Sequence, residues 1–310
     1  MNSSPHTSGF VNANGNRLHY LDWGGSGPVL LFIPGMGCTA HIFDGFAPRF
    51  KDQFHVMAVT RRGHGESDYP EAGYDADTLA EDLRQFLDAL RIDRVILAGH
   101  SMGYLELSRF TLLYPDRVLK LVWIDAAYDR TSAVDQAVLA RNPVPKMLPP
   151  WPSEAITSIE EFAETVKRLY PSLAAIWGPE MEADLRANVA ITPDGKVVEK
   201  MTDAINIALT DTMKHYSPNY ASIHAPMLSI FVLTDANDYL SAEYMTGEQK
   251  AQVIDYFKND RVPHVKEYIE QFRRSVPQAR IAVLPNGHHY CFLKQADLVF
   301  NEMRSFLLEG

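Results

Sequence analysis

The stretch that decides the fold is short and contains two glycines. Residues 95–107 read Val95-Ile96-Leu97-Ala98-Gly99-His100-Ser101-Met102-Gly103-Tyr104-Leu105-Glu106-Leu107. An aliphatic run that ends at Gly99 predicts a buried strand, and a helical pattern begins after Gly103. Ser101 fits Gly-x-Ser-x-Gly, in which a sharp strand-to-helix turn exposes a nucleophilic serine hydroxyl. The same turn would place the Met102 N–H at a helix N-terminus, where it can stabilise negative charge on a reacting oxygen.

Outward from this turn, short apolar runs recur along the chain, each bounded by proline, glycine or charge. They cover residues 29–33, 55–59, 95–97, 119–124, 227–233 and 281–284. Most lack strict alternation, which is typical of strands buried on both faces of a parallel sheet. Helical patterns lie between them, one beginning after the N-cap Asp75 and one closing the chain near Leu307. Together with an antiparallel hairpin around Asn14-Gly15-Asn16, they predict a doubly wound α/β fold.

The alternation of strands and helices stops between about Tyr128 and His224. This region is rich in proline and contains helix-like segments over residues 158–169 and 180–189. It is too long for a simple connection between two elements. We therefore predict a core domain of residues 1–127 and 224–310, with a helical cap over residues 128–223 that covers the carboxyl edge of the sheet.

A nucleophilic serine needs a general base, and two histidines after the last predicted strand are candidates. In this kind of fold the order along the chain is serine, then a carboxylate, then histidine, each at the carboxyl end of a strand. His288 follows a glycine, whereas His289 lies four residues beyond Pro285, the usual distance from the strand end. We favour His289 as the base and keep His288 as the alternative.

Three aspartates could orient the base. Asp235 and Asp238 both follow the strand over residues 227–233, where the acid usually lies, and Asp125 ends the earlier strand over residues 119–124. We favour Asp235 and leave the other two open.

A second backbone donor for an oxyanion is expected in the loop after the strand over residues 29–33. Pro34-Gly35-Met36-Gly37 follows that strand directly, and its glycines leave the backbone free to turn an amide toward the serine. We assign this role to the Met36 N–H.

Composition excludes several classes of protein. The chain has 310 residues, 46% of them hydrophobic, and a formal net charge of -10, whereas nucleic-acid binding needs a basic face. Cys38 and Cys291 cannot form a disulfide framework, and no cysteine and histidine spacing matches a zinc site. No apolar run approaches the 18 residues of a membrane span, and no secretory signal is recognisable, so we expect a cytoplasmic protein.

With these motifs assembled, the chain resembles the α/β-hydrolase fold superfamily over nearly its whole length. The matching segments are residues 33–37, Thr60-Arg61-Arg62-Gly63-His64-Gly65-Glu66-Ser67, residues 99–103, Tyr114-Pro115-Asp116-Arg117-Val118 and residues 285–289. The resemblance implies a mostly parallel eight-stranded sheet flanked by helices. It also implies hydrolysis through an acyl-enzyme, with Ser101 as nucleophile, His289 as base and Asp235 as acid. No cofactor or metal is implied.

A narrower resemblance involves a little-characterised bacterial subgroup of serine hydrolases. The residues that match are 60–63, the Asp125-Ala126-Ala127-Tyr128-Asp129 segment and an Asn-x-x-His-Tyr motif ending at Tyr290. Because the histidine of this motif directly precedes the tyrosine, the resemblance supports His289 as the base. Many members of the superfamily have Asp-Arg-Gly where this chain has Arg61-Arg62-Gly63. Glu106 fits the subgroup either as a paired buried carboxylate or as a solvated one.

The function that follows is a carboxylic ester hydrolase acting on a small or medium apolar ester. Lactonase, C–C bond hydrolase, perhydrolase and amidase activities use the same triad and stay open as alternatives. A different class is a ligand receptor with a vestigial triad and a closing cap. The oligomeric state is not predicted.

Overall fold

The computed structural model describes residues 6–309 and is built around an eight-stranded sheet. The strands in chain order are β1 Thr7–Ala13, β2 Asn16–Gly24, β3 Val29–Ile33, β4 His55–Val59, β5 Val95–His100, β6 Val118–Ile124, β7 Val189–Ile191, β8 Val197–Glu199, β9 Met227–Thr234 and β10 Arg280–Gly287. The large sheet has the order β1-β2-β4-β3-β5-β6-β9-β10. From β4 to β10 its neighbours are parallel, whereas β2 is antiparallel to both β1 and β4. The predicted α/β-hydrolase sheet is thereby confirmed.

The edge hairpin forms where the sequence predicts it. Ala13 pairs with Asn16, so the loop consists of Asn14 and Gly15, with φ of 49° and 76°. Two consecutive residues with positive φ are what a type I′ hairpin turn requires, and Asn-Gly adopts that conformation at low cost.

Helices follow the strands of the sheet and fill the segments between them. They are α1 Ala76–Ala89, α2 Tyr104–Leu113, α3 Ala133–Ala140, α4 Val144–Met147, α5 Ile159–Leu169, α6 Pro171–Ala174, α7 Pro179–Asn188, α8 Asp203–His215, α9 Gly247–Tyr256, α10 Val262–Ser275, α11 Cys291–Lys294 and α12 Ala296–Leu308. The predicted N-cap of α1 is present, since the Asp75 side chain accepts a hydrogen bond from Thr78 N. A π-helical turn, Phe257–Arg261, joins α9 to α10.

Two apolar layers cover the two faces of the sheet. Leu31 and Leu97 belong to the layer that includes α1, α2 and α10, while Leu30 and Ile96 belong to the layer that includes α12. Consecutive residues of one strand therefore pack into opposite layers, and all four of these side chains are fully or almost fully buried. Burial on both faces is the reason why these strands lack a polar alternation.

The segment between β6 and β9 contains α3 to α8 and one hairpin, β7–β8, whose strands are only three residues long. Part of it has a small core of its own, formed by Phe162, Val166, Val189 and Val197. Helix α8 packs differently, because its buried side chains join the layer that covers α1. The boundaries of residues 128–223 as a separate cap stay a prediction.

No helix within residues 6–309 is both long enough and apolar enough to cross a membrane.

Candidate active site

Ser101 occupies a strained turn between β5 and α2. Its φ is 50°, in the left-handed region that residues other than glycine, asparagine and aspartate seldom adopt. A Cβ at Gly99 would lie 2.7 Å from a Leu107 methyl carbon, and one at Gly103 would lie 3.0 Å from the Ile33 carbonyl oxygen. Both flanking glycines therefore lie in tightly packed surroundings, where a side chain would force its neighbours to shift. The side chain of Ser101 is left half-buried at the carboxyl end of β5.

His289 is paired with Asp125. Its Nδ1 lies 2.7 Å from Asp125 Oδ2, and Asp125 is only 6% exposed. The other carboxylate oxygen, Oδ1, accepts hydrogen bonds from the Tyr128 hydroxyl at 2.8 Å and from Val232 N at 3.2 Å. Because an ionised carboxylate can only accept a hydrogen bond, this contact assigns the ring proton of His289 to Nδ1. The other ring nitrogen, Nε2, is then free to accept a proton.

The pKa of Asp125 is lowered below its usual value although the side chain is buried. Burial alone would raise the pKa, but the hydrogen bond and charge of His289, the Tyr128 hydroxyl and the charge of Arg261 outweigh it. Asp125 is therefore held as a carboxylate, the form that orients a histidine and stabilises its cation.

The preference for Asp235 as the partner of His289 is corrected by this geometry. Asp235 follows β9 as predicted, but its side chain caps the next short 3₁₀ turn by accepting from Asn237 N at 2.9 Å. Asp238 is mostly buried and pairs with Lys294. The carboxylate that reaches the histidine comes instead from the neighbouring strand β6, whose last residue directly precedes Asp125.

His288 has a different environment from His289. It is 1% exposed; its Nδ1 accepts from Tyr290 N at 3.0 Å, and its Nε2 donates to the Ser172 carbonyl at 2.9 Å. Burial lowers its pKa to about 4, so it stays neutral. His288 therefore connects the end of β10 to α6 of the insertion and does not pair with a carboxylate.

His100 is a site residue that the Gly-x-Ser-x-Gly pattern treats as arbitrary. Its Nε2 donates to the His289 carbonyl at 3.0 Å, and the two imidazole centroids are 4.6 Å apart. Burial lowers the pKa of His100 well below its usual value. A neutral imidazole directly before Ser101 thus connects the serine turn to the histidine loop.

The loop after β3 lies against the serine. A Cβ at Gly35 would be 3.0 Å from Ser101 Cβ, a tight contact that places this backbone directly against the serine. Gly37 N donates to His64 Nε2 at 3.0 Å, while His64 Nδ1 donates to the Arg62 carbonyl at 3.1 Å. Burial lowers the pKa of His64 to about 3, which keeps it neutral and able to accept. The predicted donors Met36 and Met102 therefore belong to backbone segments that flank Ser101.

A cavity of about 150 Å³ lies beside this loop. It is lined by Gly37 and Cys38 of the loop, by Tyr290, and by side chains of α5 and α7 that are mostly apolar. Asp184 and Glu199 also line it, and burial raises the pKa of Asp184 to about 7 and that of Glu199 above its usual value. The described lining does not include Ser101 or His289, so the cavity adjoins the paired residues without containing them.

Two groups of side chains within the described residues have the donor atoms for a metal ion, with all ligand atoms within 4.8 Å of one another. They are His6, His41 and Asp44, and His19, His41 and Glu66. In the first group Asp44 already accepts from both imidazoles. Neither group includes Ser101, Asp125 or His289, and their members are too scattered in sequence for spacing to predict them.

Comparison with known proteins places the chain by sequence and by fold. The model of the alpha/beta hydrolase family matches residues 30–302. The 2-(acetamidomethylene)succinate hydrolase of Mesorhizobium japonicum is 39% identical over 112 residues, 36% of this chain and 40% of that protein. The chain thus aligns with about two fifths of that relative's length. Epoxide hydrolase 4 of Mus musculus is 25% identical over 96% of this chain and 78% of that protein.

A similar solved structure is the crystal structure of an E-2-(acetamidomethylene)succinate hydrolase. It has a TM-score of 0.73 at 21% identity and covers 97% of this chain and 99% of that chain. At this identity the likeness concerns the fold.

Proposed function

Because the chain belongs to the alpha/beta hydrolase family, we propose that it hydrolyses an uncharged ester through an acyl-enzyme on Ser101. The observation that carries the proposal is the pairing of His289 with Asp125, together with His100, which precedes the strained Ser101 and donates to the His289 carbonyl. A serine at this turn argues against epoxide chemistry, since the epoxide hydrolases that share this fold attack with an aspartate.

The reaction proceeds in two halves. His289 Nε2 takes the proton of the Ser101 hydroxyl as Oγ attacks the ester carbonyl carbon, and the N–H groups of Met36 and Met102 hold the oxyanion. The C–O bond to the alcohol then breaks as the imidazolium returns the proton to the leaving oxygen. In the second half, His289 activates a water that attacks the acyl carbon and releases Ser101. Asp125 stabilises the imidazolium in both halves.

The cavity beside the loop supports an apolar group of limited size on the substrate. An apolar protein cavity of about 150 Å³ accommodates benzene, so a group of about six carbon atoms matches this volume. Asp184 and Glu199 are its ionisable carboxyl groups, and its described lining contains no lysine, arginine or histidine. A carboxylate there would have no cationic partner. The Mesorhizobium relative is named for a succinate, a dicarboxylate, whereas we propose that this chain takes an uncharged substrate. The insertion between β6 and β9 would then act as the cap over this group.

The test is a chain-length series of nitrophenyl esters, extended with lactones, anilides and ω-carboxylated esters, on the wild-type protein and on Ser101→Ala. We expect multiple turnovers, an optimum at acyl chains of about six carbons, weak activity on the carboxylated analogues, and loss of at least about 10³-fold in kcat for Ser101→Ala. A fluorophosphonate should label Ser101. Labelling of another residue, or esterase activity that survives in Ser101→Ala, would overturn the nucleophile. A single slow covalent event in place of turnover would favour the receptor alternative.

A further inference from the structure

Arg61 and Glu106 form a buried ion pair beneath the loop that follows β3. Arg61 Nε lies 2.5 Å from Glu106 Oε1, and the two side chains are 2% and 5% exposed. The remaining nitrogens of the guanidinium donate to two successive carbonyls of the loop, Nη2 to Pro34 O at 3.0 Å and Nη1 to Gly35 O at 3.2 Å. One side chain therefore spans from helix α2 to the backbone of the oxyanion loop.

The Gly35 carbonyl also accepts from Cys38 N at 3.3 Å, so Arg61 and this turn together fix the direction of one amide. The peptide between Gly35 and Met36 is planar and trans, so its C=O and N–H point to opposite sides. Since Arg61 draws the Gly35 carbonyl toward itself, the Met36 N–H is turned away from Arg61. At the other end of the loop, Gly37 N–H is held by His64 in the same way. Rotation of the Met36 amide would require breaking one of these bonds.

We propose that Arg61, held in place by Glu106, is a positioning residue that aims and polarises the Met36 N–H as an oxyanion donor. A hydrogen bond from a cation to the carbonyl oxygen of a peptide also strengthens the N–H of that peptide as a donor. This inference rests on the proposed function of Ser101 and concerns how its transition state is stabilised.

The small contribution that a buried ion pair makes to stability favours this positioning role over a purely structural one. A buried ion pair is often no more stable than two apolar side chains of similar volume, so stability alone does not account for it. The guanidinium fork matches two adjacent acceptors, which a lysine ammonium, with its single nitrogen, cannot reproduce.

The next residue supplies a matched control. Arg62 and Asp82 form a second buried ion pair, 2.5 Å apart with side chains 4% and 7% exposed. Arg62 also donates to a backbone carbonyl, but to that of Ala72, outside the oxyanion loop.

The experiment compares Arg61→Leu/Glu106→Leu with Arg62→Leu/Asp82→Leu, after thermal melts have established that each is folded. For the first, we expect kcat on a nitrophenyl ester to fall by about 10²–10³-fold with KM changed less than about threefold. The inhibition constant of a trifluoromethyl ketone, whose adduct places an oxyanion in the loop, should rise by a similar factor. For the second, kcat and the inhibition constant should stay at wild-type values. Arg61→Lys, which keeps the ion pair but loses the fork, should fall between the two.

Each outcome decides one question. Wild-type kcat in a folded Arg61→Leu/Glu106→Leu would overturn the positioning role while leaving Ser101 catalysis intact. An equal loss of kcat in both double variants would assign the effect to general disturbance of the core and overturn the role as well. If the double leucine variant fails to fold, a wild-type kcat and inhibition constant in Arg61→Lys overturn it. Absence of Ser101-dependent turnover in the wild-type protein would instead refute the proposed function itself.

Discussion

Asp125 and Asp235 lie directly after two adjacent strands of the large sheet, β6 and β9, yet their side chains make different contacts. Asp125, after β6, has a φ of 47° and directs its carboxylate into the protein toward His289. Asp235, after β9, has an extended φ of -79° and directs its carboxylate along its own chain to cap a 3₁₀ turn. The carboxylate that reaches His289 is thus the one at the strand end with left-handed backbone, whereas the one with extended backbone stays within its own loop.

The largest effect is expected from Asp125→Asn. Tyr128 and Val232 both donate to Oδ1, so an asparagine would keep its oxygen there and place its NH₂ against His289 Nδ1. The imidazole would then carry its proton on Nε2 and could not accept the serine proton. We expect kcat to fall by about 10³–10⁴-fold. Asp235→Asn, measured beside it, should keep wild-type kcat; the reverse pattern would restore Asp235 as the acid.

A third carboxylate, Asp184 on α7, is buried like Asp125, but its pKa is shifted in the opposite direction. It accepts hydrogen bonds from Thr39 N and Thr39 Oγ1 and forms no ion pair within residues 6–309, and burial raises its pKa from 3.8 to about 7. Between these two values the folded state keeps a proton that the unfolded state releases, so stability falls as pH rises from about 4 to 7. The linked change in the free energy of unfolding is at most about 4 kcal/mol.

Asp184→Asn tests this linkage. The asparagine side chain does not titrate, but its carbonyl oxygen can still accept the hydrogen bonds from Thr39. Denaturant unfolding between pH 5 and pH 8 should show a smaller loss of stability with rising pH than in the wild-type protein. Glu182→Gln on the same helix is the control, because that side chain is partly exposed, and it should keep the wild-type dependence. An unchanged dependence in Asp184→Asn would mean that another group is responsible.

The smallest effect is expected from Asp235→Ala. The substitution removes the oxygen that accepts from Asn237 N and Asn237 Nδ2, the loss of an N-cap on a short turn. We expect a destabilisation of about 0.5–1 kcal/mol and a Tm lower by about 1–3 °C, with kcat unchanged. Calorimetry and the nitrophenyl ester assay measure the two quantities. A tenfold or greater loss of kcat would show that this loop takes part in catalysis.

Most of the sheet could be predicted because its signals are local. An apolar run bounded by glycine or proline identifies a strand within a few residues, and the strands β3 and β4 have the predicted bounds. The serine turn is equally local, since two glycines and one serine define it. His289 could be chosen over His288 from its distance to Pro285, and the structure brings that residue to a carboxylate.

The carboxylate that pairs with His289 could not be predicted in this way, because Asp125 has a left-handed backbone conformation that no nearby glycine indicates. A tyrosine three residues later was the available signal, as its hydroxyl holds the carboxylate. The Arg61–Glu106 pair joins residues 45 positions apart, and sequence reasoning left Glu106 undecided between a buried and a solvated state. Contacts of this separation arise only after the strands have been placed side by side.

Left-handed backbone at Ser101, Asp125 and Asn286 has a consequence for how this protein can evolve. All three positions lie at or near the carboxyl ends of strands in the large sheet, and each has φ between 47° and 50°. Glycine adopts this conformation without penalty, whereas other residues lose about 1 kcal/mol or more, somewhat less for asparagine and aspartate. Under the proposed function, glycine at Ser101 or Asp125 would relieve the backbone strain but would remove the proposed nucleophile or its proposed acid. The proposed chemistry therefore depends on side chains that only a strained backbone presents at these strand ends.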